Sequence, residues 1–556
     1  MNVTDLSPSI DAFINWMVGS IGEQAVVHAL TVTHGGGRVP RNWWFPASSP
    51  TRGLRGTAGL VVGGLFFLSA CGGGGSSNVG SSGGGSDGVL RLALENTLPG
   101  WDWRKQISAG HTGLEWRPVY DTLLRTQSDG TVTPNAAEKY SYNDDKTLLT
   151  LKLREGMKFT DGAPVDAKAA KLSLEGFRDG GGSDSLRLGG VKVRVVDDLT
   201  LTLTLPAANP ALISYLGGSS GQLVSPASMD SPTLATKPVG SGPYVLNTRE
   251  TVTGSKLVFN RNPDYWNPGD FAYDKLEFLV MADETAQLNA LSTGQIDGAE
   301  ISLGSIERAK SSGLHVKSFQ NLWSGLFFLD RAGAKIPALG DVRVRKAINM
   351  VFDRPAIAEG IWNGNGKANS QTYGPPSVAY QEDLLKYYPY DIEAARKLMK
   401  EAGYADGFSV VLPEVDHYND EYSAIAVQQL AELNIRAKVV SVPRQESIPR
   451  ILGGEFPMFV YKMPVNPEAE QVSNVLGPKG AFNPYHSADP GLTKLLEKWK
   501  VADGDEAADI YKQINRFLVE NAWFAPFGNP DSPWAFNGST TITGTLGTTP
   551  PLFAFK

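Results

Sequence analysis

Residues 238–244 read Pro-Val-Gly-Ser-Gly-Pro-Tyr, and the stretches around them as far as Asp330 carry mostly strand-like runs. Upstream lie short alternating runs. Order begins near Val89 with a strand, and 111–121 reads as a helical or irregular approach to the next element. Residues 148–153 read as a strand, and Asp166 is placed to cap a helix running to about Phe177. Residues 191–196 alternate with Lys192 and Arg194, and Leu199, Leu201, Leu203 and Leu205 alternate with three threonines. Asp197-Asp198 sits between the two runs, the pattern of an antiparallel hairpin. Downstream, 256–260 and 275–281 read as strands, and 283–292 as a short helix stopped at Gly294. After Asp330 the period changes. Val344, Ala347, Ile348, Val351 and Phe352 fall on one helix face behind a capping Asp341, and Pro355 lies in the first turn of the next helix. Asp391 caps a helix carrying Ile392, Ala395, Met399 and Ala402, with Gly403 as its stop. A third helix over 421–433 precedes a strand over 436–442, and from Trp523 the chain returns to short extended pieces. Repeated helix–strand units predict an α/β fold.

The chain has 556 residues and a single cysteine, Cys71, so no disulfide forms within it. Arg52 and Arg55, an apolar run over 58–68 and the small residues Ser69 and Ala70 precede that cysteine. The run is shorter than the roughly 20 residues a membrane-spanning helix needs. Together these residues resemble a bacterial lipobox, in which the signal is cut before the cysteine and the cysteine is acylated. Two or more acyl chains anchor a protein stably. Residues 72–86 hold eight glycines and five serines, a flexible tether with a mean span of roughly 20 Å. Residues 1–50 are expected to reflect a misassigned start, with translation beginning nearer Val39; the alternative is a cytoplasmic extension. Beyond Ala70 the chain carries 47 basic and 55 acidic side chains, a balance of −8. That argues against nucleic acid and against electrostatic docking on anionic lipid.

Catalytic patterns are weak. Gly217-Gly218-Ser219-Ser220-Gly221 has the spacing of a nucleophile elbow, but the elbow needs a strand before it and a helix after it, and Pro226 follows closely. A glycine-rich loop is the bland reading, and a secreted hydrolase using Ser219 is the alternative it leaves open. The histidines are isolated in sequence, with no H-x-x-x-H pair, so neither a metal nor another cofactor is expected. Gly364-Asn365-Gly366 lacks the third glycine of a dinucleotide loop.

Residues 238–244 resemble the P-x-G-[TS]-G-P-Y block of the peptide/nickel-type solute-binding proteins of ABC transporters, family 5. Four further blocks agree in order: 145–162 with the stretch to Phe177, Asn262-Pro263-Asp264-Tyr265-Trp266, 341–354 and 390–408. The resemblance covers roughly 89–530. It implies a two-lobed periplasmic-binding-protein fold of type II, with an extra subdomain in lobe I and a hinge of two strands. The domains it implies are an N-terminal extension over 1–50, a signal over 51–70, a tether over 71–88, lobe I over 89–330, lobe II over 331–524, and a return to lobe I over 525–556. The chain would cross the hinge near Phe328 and near Pro526. The function implied is a monomeric receptor, lipid-anchored on the outer face of the cell membrane, that binds a small-molecule or peptide ligand and delivers it to permease subunits. A scaffold that has lost transport is a third reading. The ligand-binding residues implied are His111 and Thr112 in the loop before the first lobe-I helix, Trp323 on the strand entering the hinge, and Tyr461, Lys462, Phe482 and Tyr485 from lobe II. Aromatic rings offer area at little entropic cost, and the bland reading for each is core packing.

One departure bears on ligand class. Peptide-binding relatives carry a lobe-II aspartate, shortly after a tryptophan, that pairs with the peptide ammonium. The matching stretch 459–467 has no acidic residue and has Lys462. A buried ammonium without a carboxylate costs several kcal/mol. The expectation is weak binding of peptides with free amino termini and a preference for anionic or hydroxylated ligands, unless Glu455 or Glu468 takes the aspartate's place. The anchoring reading has its own test. Cys71→Ser should abolish lipid attachment, leaving the protein uncleaved or shed; a serine variant that still fractionates as a lipid-modified membrane protein overturns the lipobox.

Overall fold

The computed structural model describes residues 88–556 apart from 99, 109–111, 416–419, 466, 479 and 539. Cys71, the signal, the tether and His111 lie outside the described residues.

Lobe I is built on a seven-stranded sheet in the order His315–Phe319, Ser532–Phe536, Gly298–Glu300, Val89–Leu94, Lys275–Val280, Lys256–Arg261, Tyr244–Leu246. Val89–Leu94 is parallel to its neighbours on both sides, and the outer strands run antiparallel. Leu90, Leu92 and Leu94 on one face join the main core with Leu276 and Phe278, whereas Ala93 turns to a smaller cluster under the helix Glu284–Ser292. This is the period-2 alternation of a strand covered on both faces. The extra subdomain is a four-stranded antiparallel sheet, Ala137–Tyr142, Leu148–Leu153, Thr200–Thr204, Lys192–Val195. Leu151 opposes Leu201 and Leu149 opposes Leu203, so the alternating leucines of the expected hairpin fall on one buried face. The helix Ala167–Asp179 covers that face, capped by Asp166, whose carboxylate accepts from the Ala169 amide.

Lobe II is built on Gly366–Ala368, Phe524–Pro530, Leu322–Phe328 and Met458–Pro464, all antiparallel, with a parallel pair Ser409–Val415 and Arg436–Val442. Its helices include Val342–Met350 and Ile392–Glu401, capped by Asp341 and Asp391 as expected. The block at 341–354 does more than form a helix face. Arg345 donates to the Ala522 carbonyl at 3.0 Å, Asn349 to Phe524 at 2.9 Å and Arg354 to Pro526 at 2.8 Å. Three polar side chains thus hold alternate carbonyls of one returning strand, which point to one side of it.

The crossings between lobes differ from those implied by the resemblance. Leu322–Phe328 is buried throughout and paired on both sides within the lobe-II sheet, so the chain leaves lobe I at 320–321, ahead of Phe328. It returns at Asp531, between Phe524–Pro530 and Ser532–Phe536, later than Pro526. A run that is apolar but for Ser324 does not reveal which of two sheets it completes.

The stretch 238–244 is a junction. The Gly242 amide donates to the Val119 carbonyl and the Tyr244 amide to Pro118, both at 2.8 Å, while the Gly240 carbonyl accepts from Thr160 at 2.9 Å. Asn262 donates its side-chain amide to the Gly242 carbonyl, and the Trp266 indole donates to Asp121. Three of the sequence blocks therefore meet at 238–244, and two of them also hold the segment Trp116–Asp121. The glycines are required by proximity: a Cβ at Gly240 would lie 2.1 Å from the Val119 carbonyl oxygen, and one at Gly242 2.5 Å from that of Pro118. Gly242→Ala should destabilise the protein by at least about 2 kcal/mol. Gly360→Ala, at a helical position with nothing within 4 Å of the added Cβ, should cost nothing. Urea denaturation of the two variants checks this, and equal midpoints would refute it.

Candidate functional site

Between the lobes lies a cavity of about 1080 Å³. Lobe I contributes Arg117, Arg187, the loop at Gly217-Gly218 and the turn from Glu300 to Gly304; lobe II contributes Tyr422, the strand residues Tyr461 to Pro464, Glu470, Asn474 and Phe482; the crossing at Asp531 closes the back. The lobes touch across it. The Tyr215 hydroxyl donates to Asn474 at 3.2 Å. Away from the cavity, Lys146 in the turn of the subdomain hairpin donates to the Ala502 carbonyl at 2.7 Å and pairs with Asp503.

Of the residues implied by the sequence, Tyr461, Lys462 and Phe482 line the cavity. Trp323 does not. It is fully buried, stacked on Phe327 at 4.4 Å and edge-on to Phe524, because it points from the central strand into the lobe-II core. The Thr112 hydroxyl donates to the Ile107 carbonyl, and Thr112 is not part of the lining. Tyr485 donates to the Gly454 carbonyl beneath Lys335, outside the lining. Ser219 sits on a short 3₁₀ turn after the helix Leu212–Leu216, not after a strand. It is buried, its hydroxyl donates to Asp184 and its amide to Ser108. The preceding glycines are packed against Thr126 and Ser108. This is a structural loop, and the hydrolase alternative has no support. Among the described residues no three His, Cys, Asp or Glu side chains form a metal-binding group.

The charged lining forms two sets. In the first, Arg187 pairs with Asp184 at 3.2 Å and lies over the Tyr215 ring, with Arg117 and Glu470 nearby. Burial lowers the Arg117 guanidinium to about 10 against the attraction of Glu470, so it remains a cation at neutral pH. Burial raises the Glu470 carboxyl, opposed by Arg187 and reinforced by Asp184. In the second set, Glu300 of lobe I faces Lys462 of lobe II. Burial raises Glu300 to about 8 despite Lys462, and pulls Lys462 below its ordinary value despite Glu300 and Glu421.

These carboxylates change the expectation about ligand class. Glu455 is engaged by Arg450, and Glu468 accepts from Ser377 and the Val378 amide, so neither reaches the cavity. Glu470, one helical step further, does. Lys462 faces the buried Glu300 carboxyl across the cleft. Arg117, Arg187, Glu300, Glu470 and Tyr422 were not picked out from the sequence. Arg117 carried a signal, since it falls in the irregular segment just past the loop already flagged; Glu470 and Glu468 are indistinguishable without the fold.

Beside the site, Glu115 is fully buried, with one oxygen accepting from the Leu98 amide and the other without a partner. Burial raises it to about 8. Glu115 and Glu300 therefore hold protons in the native state that the unfolded chain, titrating near pH 4.3, has lost. Their stabilising contribution is full below that value and is lost as pH rises toward about 8. Thermal melts of the parent should weaken across this window, and Glu115→Gln should flatten the slope; an unchanged slope refutes the assignment.

Residues 131–481 match the family model of bacterial extracellular solute-binding proteins, family 5 Middle. The glutathione-binding protein GsiB of Escherichia coli K12 is 29% identical over 316 residues, 55% of this chain and 60% of the relative, so the match spans about three fifths of that protein. Among solved structures, the Helicobacter pylori periplasmic binding protein DppA in complex with peptide STSA superposes with a TM-score of 0.71 at 21% identity, over 84% of this chain and 98% of that one. The binding protein AgaA of A. tumefaciens R10 in complex with agropinic acid gives 0.71 at 22%, with 84% and 98% covered.

Proposed function

Because the chain belongs to the family 5 bacterial extracellular solute-binding proteins, we propose that it is the solute receptor of an ABC importer. A small polar solute enters between the lobes, closure buries it, and the closed form is what the permease subunits receive. The observation that carries this reading is the cavity of about 1080 Å³ lined by charged and aromatic side chains from both lobes. A solute that touches both lobes only when they are shut shifts the population toward the shut form; no bond is made or broken. GsiB is named for glutathione, and DppA and AgaA hold a peptide and agropinic acid, all small polar molecules that such a cavity could admit. Tyr461, Lys462 and Phe482, with Arg117, Arg187 and Glu470, are the proposed contacts. No helix among the described residues is long and apolar enough to cross a membrane. The receptor is proposed to act as a monomer, anchored through Cys71 on the outer face of the cell membrane.

Small-angle scattering and thermal melts with a panel of short peptides, sugars and organic acids test the reading. At least one solute should reduce the radius of gyration. At a hundredfold excess over Kd it should also stabilise the fold by about 2.7 kcal/mol, a rise of a few degrees in Tm. A panel that leaves both quantities unmoved would argue for a scaffold.

A further inference from the structure

The C-terminal segment folds back against the hinge. After the chain has returned to lobe I at Asp531, Ile542 enters the main lobe-I core, and the Thr541 and Thr543 amides donate to the Lys556 and Ala554 carbonyls. Between these two runs lies a tight turn. The Leu546 amide donates to the Thr549 carbonyl at 2.8 Å and the Thr549 amide to Leu546 at 3.2 Å, with Gly547 at φ +59°. A two-residue loop with positive φ at its first central position calls for glycine. Two side chains fix where the turn stands. The Trp534 indole of lobe I donates to the Thr548 carbonyl at 2.9 Å, and the Asn321 side-chain amide donates to the Thr545 hydroxyl and the Gly547 carbonyl. Asn321 is itself at the crossing between lobes, and its carbonyl accepts from the Val465 amide of lobe II at 2.9 Å. The turn is thus pinned both to lobe I and to the hinge.

It meets lobe II on the cleft side. Leu546, Gly547 and Thr548 line the cavity, and so do Leu322 and Pro464 opposite them. A Cβ built on Gly547 would stand 3.4 Å from Cγ of Pro464 and 3.7 Å from its Cβ. That is contact distance, so a longer side chain aimed the same way would have to displace the ring. Pro464 pairs with Leu322, the residue after the crossing, which puts the contact close to the axis about which the lobes turn. Points near a hinge axis move little while the mouth of the cleft moves far. An obstacle of one or two atoms there holds the mouth open, and the proline ring has little freedom to yield. Resting on the receptor reading above, we propose that the C-terminal turn is the stop for lobe closure, with bare Gly547 as the seat for Pro464 and Asn321 as the positioning residue that holds the turn in place. Lobe II then comes to rest at one angle, and the volume enclosed in the shut form is set by the fold rather than by the solute.

The test is crosslinking of the full-length protein carrying Cys71→Ser, with Asp144→Cys and Val501→Cys placed beside the Lys146 clasp, one on each lobe and both exposed. A short bismaleimide joins the two thiols when the lobes meet, and this background should crosslink. Gly547→Asn, asparagine being tolerated at positive φ, should slow the reaction at least about fivefold, the lower end of what overpacking costs. Pro464→Trp adds bulk from the other wall without touching the backbone of the turn; it should slow the reaction likewise and carries the test should the asparagine variant not fold. Pro464→Ala added to Gly547→Asn should restore the rate, which relief of backbone strain in the turn would not do. Gly538→Asn, at another glycine of positive φ with nothing within 4 Å of the added Cβ, should leave it unchanged. Thermal melts identify the folded variants. A parent-like rate in either enlarged variant, or a Gly547→Asn deficit that Pro464→Ala does not relieve, overturns the stop and leaves the receptor reading standing. A background that does not crosslink at all overturns both.

Discussion

The contact on which the rest depends is the close passage of Gly240 and Gly242 against the backbone of Pro118 and Val119. With no Cβ on either glycine, two main chains approach within hydrogen-bonding distance, and the Gly242 and Tyr244 amides are satisfied by the Val119 and Pro118 carbonyls. A buried backbone amide left unpaired would cost roughly 1–3 kcal/mol, so the pairing fixes the register of one segment on the other. The residue before Pro118 is Arg117. The stretch that identifies the fold is thus also what sets the position of a cation in the cleft, at the distance of one peptide unit. Asn262 holds the Gly242 carbonyl and Trp266 holds Asp121, so each of the two passing segments is also tied to the 262–266 block.

Much of this was legible in the residues. The capping aspartates 166, 341 and 391 mark helix starts that the structure places within a residue, because a carboxylate accepting from the first-turn amides is a local interaction. The hairpin at 191–205 was readable for a similar reason: alternation of leucine with threonine has one solution when one face is buried. Sheet membership was not readable. The run Leu322–Phe328 is apolar but for Ser324 and buried at every position because both its faces and both its edges are covered, and such a run contains no marker for the sheet it joins. Only the apolar face of 341–354 was readable as a pattern, whereas Arg345, Asn349 and Arg354 are also buried and serve carbonyls about 175 residues away.

The site divides along the same line. Tyr461, Lys462 and Phe482, which the resemblance implied, line the cavity. Trp323 fails because its neighbour Leu322 takes the cleft side of the strand and the indole turns inward, a difference of one residue that reverses the face. The charged lining was the harder part. Its members come from the helix-end segment at 117, the turn at 187, the strand end at 300 and the short helix Glu468–Gln471, and no spacing relates them. They become a set only when two lobes are laid together.

The clasp of Lys146 on Ala502 and Asp503 has a consequence of a kinetic kind. It joins the lobes at a point the cavity does not reach, and the lysine is almost entirely shielded while its aspartate is open to water. Opening the lobes must break it whether or not a solute is present. A contact that both occupied and empty forms lose on opening leaves the ranking of solutes unchanged and lengthens the dwell time of all of them, by an amount that salt can shorten. Selectivity and residence are therefore written in different parts of the molecule, and one can drift in evolution without disturbing the other.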